Sequence, residues 1–524
     1  MGEAALESLR PLPVHRWRTG VLVRALPYIG YGGAAGGFAL AVFFRFWHLN
    51  AVGYNSDEAV YAGQARALAH DPQVVQLFPV FRAHPLLFQT MLSIGYRLGG
   101  GDLMGRSLAA AFGIGTVILV YLTGRLLYGR RAGLVAALVI ALMPYDVLVS
   151  RQVLLDGPAT FFATASLYLV ARYATSLQRP WLYAAGGAMG LTILAKETSI
   201  LAIGALFVFF ALSPEVKTRT RDLGLAALAM FAVALAYPLS IHIAGGGHRG
   251  QNYLLWQLFR RPNHEWSFYP ATVPLVMGPL VVGCALLGLI LLRRQMSWRE
   301  TLLLSWILVP VVFFQLWPVK GFQYLLPAAP PVALLAGRML ALWRPPPLTL
   351  RALRVPGAVV SAALCVLVLT SVGLESWRRI SPKESGVFIA GSGGLPGGRQ
   401  TGLWVRKNTP LGSEFLAIGP SMANLISFYG YRKAYGISVG PNPLRRNPAY
   451  EPIGNADLAL RRNEVQYIVW DAYSYARSPF FGDKLLEKVR KYNGVLKFSV
   501  TVRLPTKDGL SASRSLIRVY KVRS

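Results

Sequence analysis

The sequence predicts a polytopic α-helical membrane protein of about eleven transmembrane helices, followed by a C-terminal extracytoplasmic α/β domain. Three observations lead there. Of 524 residues, 54% are hydrophobic and only 15% charged, with a mean hydropathy of +0.42. The apolar residues fall in blocks of roughly 17–25, the length a helix needs to cross a bilayer core. Beyond residue 375 the blocks give way to short β-rich runs separated by Gly, Pro and Asn.

The charge is lopsided, with 54 Lys+Arg against 23 Asp+Glu, a net +31. In a soluble chain this would point to nucleic acid. Here cytoplasmic loops rich in Lys/Arg and anionic lipid headgroups account for it, and no nucleic-acid partner is expected. The two cysteines, Cys284 and Cys365, lie inside apolar runs and form no disulfide framework. The N-terminus lacks the short apolar core and cleavage site of a removable signal, so the first span is expected to stay as an anchor.

Arg10, Arg16, Arg18 and Arg24 precede a first span at about Pro27 to Trp47, which places the N-terminus in the cytoplasm. Its GGAAGG (Gly32 to Gly37) reads as a small-residue packing face. The segment 48–105 is then the first outer loop, with HPLLFQTMLSIGYRLGG as a helix lying in the interface. Spans follow at Arg106 to Leu127, Ala132 to Val149, Pro158 to Tyr173, Trp181 to Ala195, Thr198 to Leu212, Leu223 to Ile243, Val273 to Leu292, Leu302 to Trp317, Tyr324 to Leu342 and Val355 to Leu374. Arginines, among them Arg125, Arg172, Arg293 and Arg338, mark the inner turns. Residues 1–375 thus form the membrane unit and 376–524 the outer domain. Its strands are EFLAIGP, VQYIVWD, VLKFSVTVRL and RSLIRVYKV, with an amphipathic KLLEKVRKY helix. GSGGLPGG (Gly391 to Gly398) has no preceding strand and reads as a plain loop.

Acidic residues are scarce, which makes their positions informative. Asp57, Glu58, Asp156 and Glu197 all fall at expected outer ends of spans. The outer groups His84, Arg106, Arg151, Lys196, His264, Lys320 and Tyr324 fall on the same face. Carboxylates beside cations at a bilayer surface suit a reaction between a hydroxyl and a lipid phosphate: a carboxylate accepts the proton and cations stabilise the departing phosphate.

Six segments in order carry a family resemblance: SDEAVYAGQA, AHPLL, GRSLAAAFGIGTVILVYLTGRLLYGRRAG, SRQVLLDGPATFF, GLTILAKETS and KGFQYLLPAAPPVALLAG. Together they resemble the GT-C glycosyltransferases of the protein O-mannosyltransferase and aminoarabinose-transferase group. The resemblance implies a membrane-embedded inverting enzyme that moves a sugar from a polyprenyl-phosphate donor lipid to an acceptor protein, lipid or glycan on the outer face. It implies Asp57 as general base, Glu58 as the residue ordering loop or acceptor, and Asp156 as second carboxylate. Arg106, Lys196, Lys320, Tyr324 and His84 would hold the donor phosphate, with Arg106 open to a second reading as a span-end anchor. Where the family has a double proline this chain has Pro85 and Leu86, and the aminoarabinose branch has a lysine where His84 stands. Some members of the group use no metal; here His84 and His264 with Asp57 or Asp156 offer ligands for a divalent metal. A lipid-linked-sugar flippase and an inactive scaffold are the alternative readings. Spans almost free of central charge, with polar groups crowded at one end, favour the enzyme.

Overall fold

The structure, a computed structural model, describes residues 32–33, 35–80, 85–243, 256, 259–260, 262–350, 353–380, 395–442, 446–447, 450–505 and 511–523. His84 and most of the 244–261 loop lie outside the described residues.

The first span is described as helix α1 (Ala35–Phe46). Its glycines pack as the sequence suggests at two positions only: a Cβ on Gly33 or Gly37 would meet Leu134 or Leu138 at 3.3 and 2.8 Å. The outer loop folds into α2 (Ser56–Leu68) and α3 (Leu87–Arg97). A long α4 (Asp102–Tyr128) leads to α5 (Arg130–Leu142), α6 (Pro144–Ser150), α7 (Asp156–Ser176) and α8 (Arg179–Ala195). Among the described residues, five helices are long and apolar enough to cross a membrane, or seven if each of two bent pairs is one span. The expected eleven is not reached on that measure, because helices such as Arg179–Ala195 (17 residues) and Ala202–Leu212 (11 residues) are short.

Two spans that the sequence runs straight are broken. Between α5 and α6 the axis turns by 58°, where Met143 is extended and Pro144 has no N–H to give Ile140. Between Phe268–Met277 and Pro279–Leu291 it turns by 94° at Gly278, whose φ of +93° is open to glycine and strained for other residues. An apolar run conceals such breaks, since hydropathy is unchanged across them.

Carbonyls freed at the first break cannot be left bare in an apolar interior. Arg45, fully buried at the end of α1, donates to Ala141 O at 3.1 Å and to Ile140 O at 3.5 Å, and pairs with buried Asp146. The Ser376 hydroxyl takes Leu142 O at 2.6 Å. A similar joint closes the other end of the bundle. Arg338, expected at an inner turn, is instead 2% exposed because Glu300 takes its Nε at 3.1 Å and the carbonyls of Leu292 and Gln295 take its Nη2. Close helix contact does the rest: a Cβ on Gly186 would lie 2.1 Å from Ala226 O, and on Gly190 2.7 Å from Met230 O.

The last span, Gly357–Ile380, runs through the boundary expected at residue 375. Beyond it a five-stranded sheet has the order β4-β3-β5-β7-β6, where β3 is Phe415–Ala417, β4 Ala434–Gly436, β5 Tyr467–Asp471, β6 Val495–Pro505 and β7 Ser511–Lys521. Strands β4, β3 and β5 are parallel, and β7 and β6 add antiparallel. A separate hairpin, β1 (Leu348–Leu350) with β2 (Leu353–Val355), precedes the last span. All four strands read from the sequence are present; β4, only three residues long, was not legible. One apolar cluster joins Tyr54, Ala59, Phe78 and Phe88 of the first loop to Phe415, Leu425, Phe428 and Val469, so the C-terminal unit is seated on that loop.

Replacing Arg45 with Met leaves Asp146 buried and unpaired, which should cost about 3–5 kcal/mol. The melting temperature of the purified protein checks this. Arg45→Met with Asp146→Leu should recover part of the loss, because no charge is then stranded.

Candidate active site

Asp57 and Glu58 are neighbours in sequence, but an α-helix turns about 100° per residue, so they face different surroundings. Asn55 caps α2, accepting from Glu58 N at 2.9 Å, while Glu58 Oε2 accepts from Asn55 N at 3.0 Å. Glu58 is 1% exposed. Its carboxylate also takes Arg106 Nε at 2.8 Å, Arg106 Nη2 at 2.7 Å and Val153 N at 3.0 Å. It is a structural joint.

Arg106 is committed to the same joint. Its remaining N–H groups go to the carbonyls of Leu49 (3.0 Å), Val52 (2.6 Å) and Gly53 (2.9 Å), and Tyr54 lies under its guanidinium at 5.1 Å. With five donors spent and 6% exposure, it has nothing left for a phosphate. The structure spends it in a buried joint between α4 and the first loop. Arg151, likewise, closes the end of α1 on Phe44 O and Trp47 O at 2.8 and 2.7 Å.

Asp57 is half-buried in the first turn of α2, where the helix N-terminus favours negative charge. Three candidate residues come together near it. Asp156, in the first turn of α7, pairs through Oδ1 with Lys196 Nζ at 2.6 Å. Lys196 ends α8 and sits 4.5 Å above the Tyr324 ring. Tyr324 lies within electrostatic reach of Lys196, Arg260, Asp156 and Asp57. Asp156, Lys196 and Tyr324 line a cleft of about 510 Å³ whose other walls are mostly apolar, including Ala202, Trp306 and Phe314, with the hydroxyls of Thr198 and Ser199 among them. The arrangement can hold an anion at a charged mouth and a hydrocarbon chain beyond it.

Two of the sequence candidates, Lys320 and His264, stand elsewhere. Lys320 is buried, donates to Gln315 O and Trp317 O at 3.0 and 3.2 Å, faces the rings of Trp266 and Tyr269, and does not line the cleft. Those carbonyls end the Trp298–Leu316 helix, so the ammonium serves as its cap. His264 stacks on Phe268 with centroids 4.0 Å apart. Burial, then Arg477 and Lys320, push its pKa down, which keeps the ring neutral. His84 lies outside the described residues. Among the described residues no three His, Cys, Asp or Glu side chains are grouped to hold an ion, and Asp156 pairs with Lys196.

The C-terminal unit supplies the rest of the surroundings. Tyr429 OH donates to Asp102 Oδ2 at 2.6 Å and accepts from Tyr54 N at 2.9 Å, and Arg399 binds Asp102 at 3.2 Å and Asn50 O at 3.0 Å. Asn424 Nδ2 donates to Ser56 Oγ at 3.0 Å, beside Asp57. Tyr450 lies within electrostatic reach of Asp57 and Arg260.

Residues 83–242 match the family model described as dolichyl-phosphate-mannose-protein mannosyltransferase. A similar chain, the undecaprenyl phosphate-alpha-4-amino-4-deoxy-L-arabinose arabinosyl transferase of Yersinia enterocolitica, is 26% identical over 290 residues, 52% of this chain and 51% of that one. The chain spans about half the length of the curated relatives it matches. Among solved structures, ArnT from Cupriavidus metallidurans bound to undecaprenyl phosphate superposes with a TM-score of 0.62 at 16% identity, covering 96% of this chain and 98% of that one. The archaeal oligosaccharyltransferase AglB from Archaeoglobus fulgidus gives 0.58 at 15%, covering 94% and 74%. The fold is that of a GT-C glycosyltransferase. It makes the chain an integral membrane protein.

Within this GT-C chain, Arg260, Asn424 and Tyr450 were missed by sequence reasoning. Each sits in a loop or helix far along the chain and joins the site only through tertiary contact, so no local spacing could reveal it. Asn55 and Gln152 were legible in part. An Asn before an acidic first turn is a capping signal, and Gln152, inside SRQVLLDG, accepts from Asn55 Nδ2 at 2.9 Å.

Arg106→Lys keeps a positive charge but cannot reproduce five directed donors. The variant should lose about 1–3 kcal/mol for each buried acceptor left without a donor and raise amide exchange across residues 49–58. Wild-type exchange in that segment would contradict the structural assignment of Arg106.

Proposed function

We propose that the chain is an inverting glycosyltransferase that moves a sugar from a polyprenyl-phosphate lipid to an acceptor hydroxyl on a protein, lipid or glycan. The single observation that carries this reading is the Lys196–Asp156 pair at the mouth of a largely apolar cleft, beside Tyr324, which is itself within electrostatic reach of Asp57. A polyprenyl phosphate has that same division into anion and hydrocarbon. The names of the relatives agree with this donor class, since the arabinosyl transferases and a solved ArnT are both described with undecaprenyl phosphate.

In the proposed reaction the acceptor oxygen attacks the anomeric carbon from the face opposite the phosphate. As that bond forms, the bond from the anomeric carbon to the phosphate oxygen breaks, and its electron pair leaves on the polyprenyl phosphate. The acceptor proton passes to Asp57. Lys196 and Arg260 neutralise charge as it grows on the leaving phosphate, and the Tyr324 hydroxyl can donate to it. Asp156 acts on Lys196: it keeps the ammonium charged in an apolar wall and fixes its direction while leaving N–H donors for the phosphate. Glu58 and Arg106 hold the loop that presents Asp57.

The site belongs on the extracytoplasmic face in this account, with the N-terminus in the cytoplasm and the arginine-rich turns against anionic lipid. The C-terminal unit then stands outside, over the site.

The test uses membranes containing the full chain, supplied with undecaprenyl-phosphate donors carrying radiolabelled sugars. Asp57→Asn should lower transfer about 10²–10⁴-fold while the melting temperature and undecaprenyl phosphate binding stay as in wild type. A folded variant that transfers at the wild-type rate removes Asp57 from the role of base.

A further inference from the structure

A second cleft, of about 560 Å³, lies between the Pro420–Gly430 helix, β4 and Gln76 of the first loop. Its walls differ from those of the donor cleft. Gln76, Asn424, Ser427, Tyr435 and Tyr450 bring amides and hydroxyls, together with two aromatic rings. The cation in its lining, Lys433, pairs with Glu451 at 3.3 Å and lies 5.0 Å over the Tyr435 ring. The lining charges therefore cancel.

The cleft also adjoins the site. Asn424 reaches Ser56 at 3.0 Å, one residue from Asp57, and Tyr450 is shared between the cleft wall and the surroundings of Asp57. Burial first, and then the charge of Asp57, raise the Tyr450 phenol pKa, so it stays a neutral donor.

We infer that this cleft binds a neutral carbohydrate portion of the acceptor and points its hydroxyl at Asp57. Amides, hydroxyls and ring faces match the alternating hydroxyl edges and apolar faces of a sugar ring. A phosphorylated headgroup would instead need uncompensated cations. The inference rests on the transferase reading above and narrows its acceptor to a glycan.

The experiment uses the full chain in lipid nanodiscs with maltotriose and mannotriose as probes, followed by saturation-transfer NMR. Glucose 6-phosphate and the tripeptide Gly-Ser-Gly serve as comparison probes. Ser427→Trp and Gln76→Trp fill the cleft from opposite walls, and Gln76 is exposed, so its variant folds even where the first does not. Undecaprenyl phosphate binding is measured in parallel by native mass spectrometry. The expected result is trisaccharide saturation in wild type, reduced about tenfold in the folded variants, with undecaprenyl phosphate occupancy unchanged. The inference is overturned if no trisaccharide saturates, if the folded variants saturate like wild type, or if only glucose 6-phosphate or the tripeptide binds. Trisaccharide binding lost in the variants, in a protein that never binds undecaprenyl phosphate, would uphold the cleft and defeat the donor reading instead.

Discussion

The buried carboxylate of Glu58 ties three distant stretches of chain into one piece. It closes the cap of α2, takes two N–H groups of Arg106 from α4, and takes the backbone N–H of Val153 just before α7. Arg106 extends the joint to the carbonyls of residues 49, 52 and 53. Breaking either partner strands a charge away from water, so the joint holds as a unit or fails as one. Asp57 is placed by it, one residue along the same helical turn.

Buried ion pairs recur in this bundle, and their surroundings separate their roles. Arg45–Asp146 and Arg338–Glu300 sit where helices break or end, and their guanidinium groups also serve loose backbone carbonyls. They are joints. Asp156–Lys196 is as short, but it opens on a cleft and faces the Tyr324 ring. A lysine is a compact charge with three donors, and one bond to Asp156 leaves capacity for a ligand. Its position at a cleft mouth sets it apart.

Much of this was legible in the sequence for identifiable reasons. Long apolar blocks and β-rich runs translate directly into helices and strands, which is why four strands and the amphipathic 479–491 helix were placed. The convergence of Asp57, Asp156, Lys196 and Tyr324 followed from their shared position at the ends of apolar blocks. What failed needed geometry. Hydropathy does not register the turns at Pro144 and Gly278. An arginine at a span end looks the same whether it meets lipid, as expected of Arg338, or a buried glutamate, as found. The family resemblance placed Lys320 with the phosphate ligands, whereas its position just after an apolar block puts its ammonium on the last carbonyls of that helix. Arg260 and Tyr450 reach the site from loops with no periodic pattern, and only the seating of the C-terminal unit on the first loop explains Tyr450.

The central claim is that a lipid phosphate rests at Lys196 with its hydrocarbon in the adjoining cleft. Electron cryomicroscopy of the full chain in nanodiscs with undecaprenyl phosphate tests it directly. The account predicts phosphate density in contact with Lys196, Tyr324 and Arg260, and a chain of density running past Ala202, Trp306 and Phe314. Phosphate density at Lys320 or Arg106, with the Lys196 cleft closed by protein side chains, would contradict it.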